Sequence, residues 1–405
     1  MKVGFYIGGV SPTGGGGYTF VVELLAALNR IRRQCNHELL LCYHQTGEGV
    51  ARLFPELPGL NLDQEKADVL SFAERISERV PRVARKAYRV AFEPSAKLSW
   101  QDRVYSRQGI QFIVRLVPWI PRTGMDIPFA DTVWDLQHRS SPWFPEVSLL
   151  DEWGGRESNY SSLRRASVIY TGTQQGRQEI SSYYQVPPER IKVLPFATPT
   201  FALDAANKPK NSNRLQSLGL SAEYIFYPAQ FWSHKNHVLV LEACRIIHDL
   251  TGWTPDVVFT GSAQNNVAYV REYACRLGLG DRTRFLGFVE QADLVELYRG
   301  AFCLAFPSFF GPDNLPPLEA FALGCPVLAA DVPGAREQLG EAAIFFPPTD
   351  ERRLADAILS LRSQDTRQRL VRAGHVRARV RSWDQYARDI IESLDEFAAI
   401  RRAWR

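Results

Sequence analysis

Short apolar strands and helix-forming segments alternate along most of this 405-residue chain. In one such unit the apolar strand Ala301–Phe306 leads through a loop of turn-forming residues to a helix that opens at Pro316 and stops at Gly324. Another apolar strand, over residues 326–330, follows at once. Parallel strands need a crossover connection between them, and a helix usually provides it. The alternation therefore predicts an α/β fold with parallel sheets.

The chain is too long for one ordinary hydrophobic core, so two domains of similar size are expected. Residues 196–221 are rich in Pro, Asn, Lys and Ser and lack an apolar period, which is typical of a linker. We therefore predict a first domain over residues 1–200 and a second over residues 201–382. A final amphipathic segment follows over residues 383–405.

The composition is that of a soluble globular protein, because 45% of the residues are hydrophobic and 23% are charged. The net charge of +4 is too small to indicate nucleic-acid binding. The six cysteines lie in apolar surroundings without CxxC spacing, which favours reduced thiols. The N-terminal strand lacks the long apolar region of a signal peptide, and no run reaches the ~18 apolar residues that span a bilayer. We expect a cytoplasmic protein.

A glycine-rich loop follows the first strand, with Gly14, Gly15, Gly16 and Gly17 in succession before a helix. Glycines at this position let backbone N–H groups approach a phosphate or a sugar closely. A dinucleotide-binding unit would also carry an acidic residue at the end of the second strand, where this chain has His44. A nicotinamide cofactor is therefore disfavoured. A tight turn without any ligand is the alternative.

Residues 79–122 carry ten basic and two acidic side chains, with aromatic residues interleaved. Such a segment suits an anionic membrane surface or a lipid-diphosphate acceptor. A solvated helix face explains the same composition equally well, and no nucleic-acid-binding module accompanies the charge. The sequence thus leaves open a peripheral contact with the inner face of the cytoplasmic membrane.

Two stretches carry a family resemblance. One reads Asn314-Leu-Pro-Pro-Leu-Glu319, and the other reads Pro228-Ala-Gln-Phe-Trp-Ser-His-Lys235-Asn-His. Together they resemble the retaining glycosyltransferases of family 4, in particular a bacterial mannosyltransferase-like subset. The resemblance implies the GT-B fold, in which two Rossmann-like domains face each other across a cleft and a C-terminal helix crosses back to the first domain.

The resemblance also implies a reaction and a set of site residues. A hexose, mannose being the first candidate, would pass from a nucleoside-diphosphate sugar to a glycan or polyprenyl-diphosphate-linked acceptor of cell-surface polysaccharide synthesis. The residues implied in catalysis are His138, Lys235 and Glu319. Those implied in donor binding are Gly16, Gly17, Gln230, Lys235, Phe288, Val289, Asp313, Asn314, Leu315 and Glu319.

The diphosphate is expected at the mouth of the helix that the two prolines open. Free N–H groups at Asn314, Leu315 and Leu318 would point out of that helix and offer an anion site. By the family pattern, Lys235 would neutralise the same diphosphate, helped by the glycine loop of the first domain.

The other roles concern the two ends of the donor. By the family pattern, Glu319 would accept hydrogen bonds from the ribose hydroxyls, and Phe288 and Val289 would lie near the base. His138 follows an apolar strand on a loop rich in Ser and Pro, which places it at the carboxyl edge of the sheet. The resemblance implies that this histidine contacts the transferred sugar, and a structural histidine is the alternative.

The chain departs from the family pattern at two positions. Gln230 stands where the family usually has Arg, so one cation on the diphosphate is missing. Gly311 stands where the signature has its first Glu, and we hypothesise that Asp313 supplies that carboxylate to the donor sugar. The sequence contains no Asp-x-Asp pair, so neither a bound divalent metal nor another cofactor is expected.

Two alternatives share the fold. A non-catalytic scaffold or regulatory subunit of a polysaccharide assembly complex would tolerate Gln230 and Gly311, but it would have no need of Lys235, Glu319 and His138. A sugar-nucleotide epimerase is the second alternative, although no feature of the sequence demands it.

Overall fold

The computed structural model describes residues 1–12, 15–69, 99–118, 126–149, 152–220, 223–311 and 313–404. These residues form two parallel sheets, one in each half of the chain. The strands are β1 (Lys2–Tyr6), β2 (Glu38–Tyr43), β3 (Gly59–Asn61), β4 (Phe112–Arg115), β5 (Phe129–Val133), β6 (Val168–Thr171), β7 (Ile191–Val193), β8 (Tyr224–Pro228), β9 (Val257–Thr260), β10 (Thr283–Phe285), β11 (Ala301–Phe306), β12 (Val327–Ala330) and β13 (Ala343–Phe346).

The helices lie between these strands and after the last of them. They are α1 (Gly16–Ile31), α2 (Glu48–Ala51), α3 (Leu62–Val69), α4 (Trp100–Arg107), α5 (Gln137–Ser140), α6 (Pro145–Ser148), α7 (Glu152–Tyr160), α8 (Gln174–Tyr184), α9 (Thr200–Ala206), α10 (Ser212–Ser217), α11 (His237–Thr251), α12 (Val267–Arg276), α13 (Gln291–Gly300), α14 (Leu315–Ala322), α15 (Ala335–Leu339), α16 (Glu351–Ser360), α17 (Gln364–Arg377) and α18 (Trp383–Arg401).

The strand orders place the ligand edge of each sheet. They are β3-β2-β1-β4-β5-β6-β7 in the first sheet and β10-β9-β8-β11-β12-β13 in the second. In both sheets the order reverses beside the first strand, between β1 and β4 and between β8 and β11. Open α/β sheets bind ligands at the carboxyl ends of the strands beside such a switch point. The loops after β1, β8 and β11 are therefore expected to bind the ligand.

The predicted strand Ala301–Phe306 is confirmed with the same bounds, as β11. All six residues of β11 are buried, as are all four of β12, because strands of a parallel sheet lose water on both faces. The segment expected to be an irregular linker is different. It contains α9 and α10, and α9 is tied to the first domain because the N–H and hydroxyl of Thr200 donate to the Glu23 carboxylate at 2.6 and 2.5 Å.

The last helix, α18, packs on the first domain. The Trp383 and Tyr386 rings have their centroids 5.6 and 5.7 Å from that of Phe20 in α1. Further along, the Tyr170 and Ser393 hydroxyls lie 2.6 Å apart in the core. The expected crossing of the C-terminal helix back to the first domain is confirmed.

Much of the basic segment 79–122 falls outside the described residues, namely residues 79–98 and 119–122. In the described part, Arg115 is 4% exposed and pairs with the buried carboxylate of Asp131. Arg115 therefore belongs to the core and is not available to a membrane surface. Among the described residues, no helix combines the length and the apolar character needed to cross a membrane.

Candidate functional site

The glycine-rich loop of the first domain lies close to helix α14 of the second domain. Gly15 has a φ of 67°, a left-handed value that glycine adopts without strain, and α1 begins at the next residue. A Cβ added to Gly16 would lie 3.8 Å from the Leu315 side chain. Helix α1 thus begins within the glycine run itself. Because the first N–H groups of a helix lack helical partners, those of Gly16 and Gly17 are candidates for ligand contact, and neither has a partner among the described residues.

More N–H groups at the N-terminus of α14 are hydrogen-bonded within the protein than the sequence predicted. The Asn314 N–H donates to the Gln338 side-chain oxygen at 3.0 Å, and the Asn314 carbonyl accepts from the Gln338 amide at 2.7 Å. Since α14 begins at Leu315, helical geometry assigns the Leu318 N–H to the Asn314 carbonyl. Of the three N–H groups expected to be free, that of Leu315 is left, so the prediction was wrong for the other two.

Lys235 ends a short 3₁₀ turn, Ser233–Lys235, that follows β8. Its carbonyl accepts a 2.9 Å hydrogen bond from the Tyr227 hydroxyl, and its ammonium lies 5.9 Å from the centre of the Phe306 ring. Among the described residues no carboxylate is in salt-bridge contact with this ammonium. Burial lowers the pKa of Lys235 to about 8, so the group is still mostly protonated at neutral pH. A charged group without an anionic partner is available to a ligand.

The lysine turn is held by a carboxylate of the first domain. Glu146, in α6, accepts hydrogen bonds from both the backbone N–H (3.1 Å) and the Nδ1–H of His234. Burial alone would raise the pKa of Glu146, but the His234 contacts lower it to about 2. Burial lowers the pKa of His234 to about 4, so at neutral pH a neutral imidazole donates to a carboxylate. Sequence reasoning missed this pair.

His138 is fully buried on the short helix α5. Its Nε2 lies 3.1 Å from Glu157 and 3.0 Å from the Tyr184 hydroxyl, and its ring stacks on Tyr160 at 5.4 Å. A nitrogen that faces a carboxylate carries the proton, so Nδ1 is an acceptor. This Nδ1 is buried and has no partner among the described residues. Burial lowers the pKa of His138, which keeps the ring neutral and able to accept from a hydroxyl.

Asp135 acts electrostatically on residues of both domains. Its charge acts on His138 in the first domain and on Lys235 in the second, where it opposes the lowering of their pKa values by burial. The structure therefore brings these two predicted residues into one electrostatic neighbourhood. Asp135 itself contacts Arg156 at 3.5 Å and is partly exposed.

Glu319 is buried in the second turn of α14. One of its oxygens accepts a 2.7 Å hydrogen bond from the Tyr298 hydroxyl. Burial raises the pKa of Glu319 to about 7, against the opposing effect of that hydrogen bond. The carboxyl therefore changes charge near neutral pH.

Residues 213–377 match the family model described as Glycosyl transferases group 1. The second domain is a group 1 glycosyltransferase domain. The O-antigen chain mannosyltransferase RfbU of Salmonella typhimurium is 24% identical over 224 residues, which are 55% of this chain and 59% of the relative. Alignments with the first three curated relatives span 59%, 66% and 60% of their lengths, so the chain covers less than two thirds of each.

Solved structures resemble nearly the whole chain. Sucrose-phosphate synthase from Thermosynechococcus elongatus has a TM-score of 0.70 at 18% identity, with 99% of this chain and 100% of that chain covered. Anabaena HepE in complex with UDP-glucose has a TM-score of 0.68 at 17% identity, with 98% and 100% covered. The fold is GT-B, as the resemblance implied.

Asp313 of the group 1 domain faces the first domain instead of a donor sugar. One carboxylate oxygen accepts a 2.7 Å hydrogen bond from the Phe196 N–H, and the other accepts from the Gln338 amide. A Cβ added to Gly172 would collide with the same carboxylate. Burial raises the pKa of Asp313 to about 8. Because both oxygens are engaged, Asp313 is not placed to replace the missing signature Glu, and the hypothesis needs correction.

The backbone conformation at position 311 of the group 1 domain explains why this chain has Gly where the family signature has Glu. Gly311 has a φ of 125°, and a Cβ there would lie 2.7 Å from the Asn314 side-chain oxygen. The Asn314 amide in turn donates to the Gly311 carbonyl at 2.6 Å. A glutamate does not fit this loop as it is folded here.

Three further predicted residues lie on loops at the carboxyl ends of strands in the group 1 domain. The Gln230 side-chain oxygen accepts from the Trp232 indole at 2.9 Å, so this amide is fixed where the family usually has Arg. Phe288 is 55% exposed after β10, and Val289 beside it is half-buried. Their expected contact with a base stays a prediction.

Proposed function

We propose that this chain is a retaining glycosyltransferase that moves a hexose from a nucleoside-diphosphate sugar to a hydroxyl of a glycan or lipid-linked acceptor. Mannose is the first candidate for the hexose, and cell-surface polysaccharide synthesis is the proposed process. The observation that carries the proposal is the Lys235 ammonium, which is partly buried and has no carboxylate in salt-bridge contact among the described residues. Charges withdrawn from water are normally paired. An ammonium without such a partner at the cleft favours an anionic ligand.

The difficult step in such a reaction is the departure of the diphosphate, on which negative charge grows. Donors fixed before the reaction stabilise that charge without having to reorganise. Lys235 and the Leu315 N–H would supply them from the second domain, and the N–H groups of Gly16 and Gly17 from the first. Independence from metal ions is part of this proposal, since these groups would take the place of a divalent cation.

The remaining residues have proposed roles at the two ends of the donor. Glu319 would accept hydrogen bonds from the ribose hydroxyls through the oxygen that Tyr298 does not use. His138 would accept from a hydroxyl of the transferred sugar through its Nδ1, which is buried and has no partner among the described residues. Phe288 and Val289 would lie beside the base.

The names of similar proteins support the substrate class. RfbU is an O-antigen chain mannosyltransferase, and HepE was solved with UDP-glucose, a nucleoside-diphosphate hexose. For this chain, the hexose and the acceptor are proposals.

A non-catalytic scaffold is the second candidate, and the fixed Gln230 amide favours it. This position offers no cation to a diphosphate, because the glutamine amide is uncharged, and its side-chain oxygen accepts a hydrogen bond from Trp232. The presence of Lys235 favours the enzyme, since a scaffold does not need a cation there.

The deciding assay is release of nucleoside diphosphate from a panel of UDP-, GDP- and ADP-sugars, run with and without EDTA. We expect slow release from one donor in both conditions, and its loss in Lys235→Ala. Lys208→Ala is the matched control, because Lys208 is an exposed residue of the second domain. Release that requires added metal would contradict the metal-independent mechanism, and no release from any donor would favour the scaffold.

Peripheral contact with the cytoplasmic face of a membrane, through residues 79–122, is a separate proposal. Basic residues near a surface attract anionic lipids, and salt weakens that attraction. We expect the protein to co-sediment with anionic vesicles at low salt and to remain in solution with neutral ones. Equal recovery with both kinds of vesicle would exclude this contact.

A further inference from the structure

One first-domain carboxylate contacts the turn that carries Lys235. Glu146 is 9% exposed and His234 is 8% exposed, so their contact is shielded from water. A single oxygen of Glu146 accepts from both the N–H and the imidazole of His234. Hydrogen bonds to an ionised acceptor are about twice as strong as those between neutral groups. The residue before Lys235 is thus fixed in backbone and side chain alike.

The contact extends to the loop after β11. The Phe309 N–H donates to the His234 carbonyl at 2.9 Å. The Phe144 ring of the first domain lies 5.6 Å from the Phe309 ring and 6.2 Å from that of His234. The segment 144–146 therefore packs on two loops of the second domain at once.

We propose that Glu146 is a positioning residue of the donor site: through His234 it holds the Lys235 turn against the first domain and keeps the two domains together at the cleft. Its effect on the donor rests on the proposed function. Its effect on the contact between the domains does not, and can be measured without a donor.

Glu146 also acts on Lys235 through its charge. The titratable groups that act on it or respond to it are Asp135 and Glu146 of the first domain and His234 and His237 of the second. Both carboxylates favour the protonated lysine. The second oxygen of Glu146 is buried and has no hydrogen-bond partner among the described residues, so its charge is not offset by another donor.

Three substitutions separate the positioning of the Lys235 turn by Glu146 from the effect of the Glu146 charge on Lys235. Glu146→Gln keeps an oxygen that can accept from His234 but removes the charge. Glu146→Ala removes both, and Glu146→Asp replaces it if the alanine variant does not fold, because the shorter side chain keeps the charge and loses the reach. Glu38→Gln is the control, since Glu38 is exposed and lies at the amino end of β2, whereas ligands bind at the carboxyl ends of the strands.

The first readout is hydrogen exchange of the free protein. In Glu146→Ala we expect faster exchange of the His234 and Phe309 amides and of segment 144–149, because the contact that protects them is gone. In Glu146→Gln and in the control these amides should exchange as in the wild type.

The second readout is kinetics with the donor that the panel identifies. Displacement of a catalytic group by about 1 Å can cost on the order of 100-fold in rate, so we expect a loss of that order in kcat/KM for Glu146→Ala. Glu146→Gln should lose less, and the alkaline limb of its rate profile should move to lower pH, because Lys235 loses a charge that favours its protonated form.

Two results would overturn the proposal. One is unchanged exchange at the His234 and Phe309 amides in Glu146→Ala. The other is a rate profile of Glu146→Gln whose alkaline limb stays in place while kcat/KM is within twofold of the wild type. If the wild type turns over no donor, the proposed function fails, and the exchange data alone decide whether Glu146 holds the domains together.

Discussion

The Asp313 carboxylate accepts a 2.7 Å hydrogen bond from the Phe196 N–H, 117 residues earlier in the chain. Phe196 follows β7, the last strand of the first sheet, and Asp313 precedes helix α14 of the second domain. The bond therefore joins the two domains directly beside the proposed donor site. This contact gives Asp313 a role in the relative position of the domains.

Asp313 should make stability depend on pH. Burial raises its folded-state pKa to about 8, whereas a free aspartate titrates near ~3.9. Between these values the folded protein binds the extra proton, so the free energy of unfolding falls as pH rises, by at most about 1.4 kcal/mol per pH unit. Denaturant unfolding at several pH values in this window should show a flatter dependence for Asp313→Asn. The same slope as in the wild type and in the exposed control Asp356→Asn would contradict this assignment.

Restoring the family's glutamate at position 311 should not improve the enzyme. Gly311 has a φ of 125°, and a non-glycine residue held in such a conformation costs roughly 1–3 kcal/mol. We expect Gly311→Glu to lower stability by an amount in that range and to weaken donor binding, because the Asn314 side chain must move. Gly49→Ala is the control, since open space surrounds a Cβ there. A variant with wild-type stability and tighter donor binding would show that the loop can adopt the family's conformation.

The Tyr298 hydroxyl should influence the pH at which activity is lost on the acidic side of the rate profile. The pKa of Glu319 is raised by burial to about 7, and the Tyr298 hydroxyl opposes that shift. If the ribose requires the carboxylate, activity is lost as pH falls through 7. Tyr298→Phe removes the opposing hydrogen bond, so the Glu319 pKa should rise and the acidic limb should move to higher pH. Donor KM measured from pH 5 to 9 tests this, and an unmoved acidic limb would separate Glu319 from donor binding.

The C-terminal helix should be an obligate part of the first domain. Trp383 is 2% exposed and packs on Phe20, and removing such a ring typically costs about 3–5 kcal/mol. We expect Trp383→Ala to lower the free energy of unfolding by that order. Trp404, at 46% exposure, is the matched aromatic for comparison, and Trp404→Ala should have a much smaller effect. Equal losses in the two variants would mean that the crossing contact adds little.

The sequence predicted the sheets well because their strands are apolar runs bounded by turn residues, as in Ala301–Phe306 and Ala343–Phe346. It missed α9 and α10, which are short and lack an apolar period. For the proposed site, Lys235 and Glu319 could be predicted because local motifs contain them. Glu146 was missed because its partner His234 is 88 residues away, and no local pattern encodes a contact across a cleft. Asp313 was assigned to the donor for the same reason, since its partners lie in other elements.

In the proposed mechanism, Lys235 forms an anion site for a nucleoside-diphosphate sugar without a metal ion. The most direct test is calorimetric titration of UDP-, GDP- and ADP-sugars into the wild type, Lys235→Ala and the exposed control Lys208→Ala, all in EDTA. We predict that one donor binds the wild type and the control equally, and that Lys235→Ala loses about tenfold or more in affinity, as expected for a charge-assisted contact. Equal binding by Lys235→Ala, or no binding of any donor to the wild type, would contradict the account.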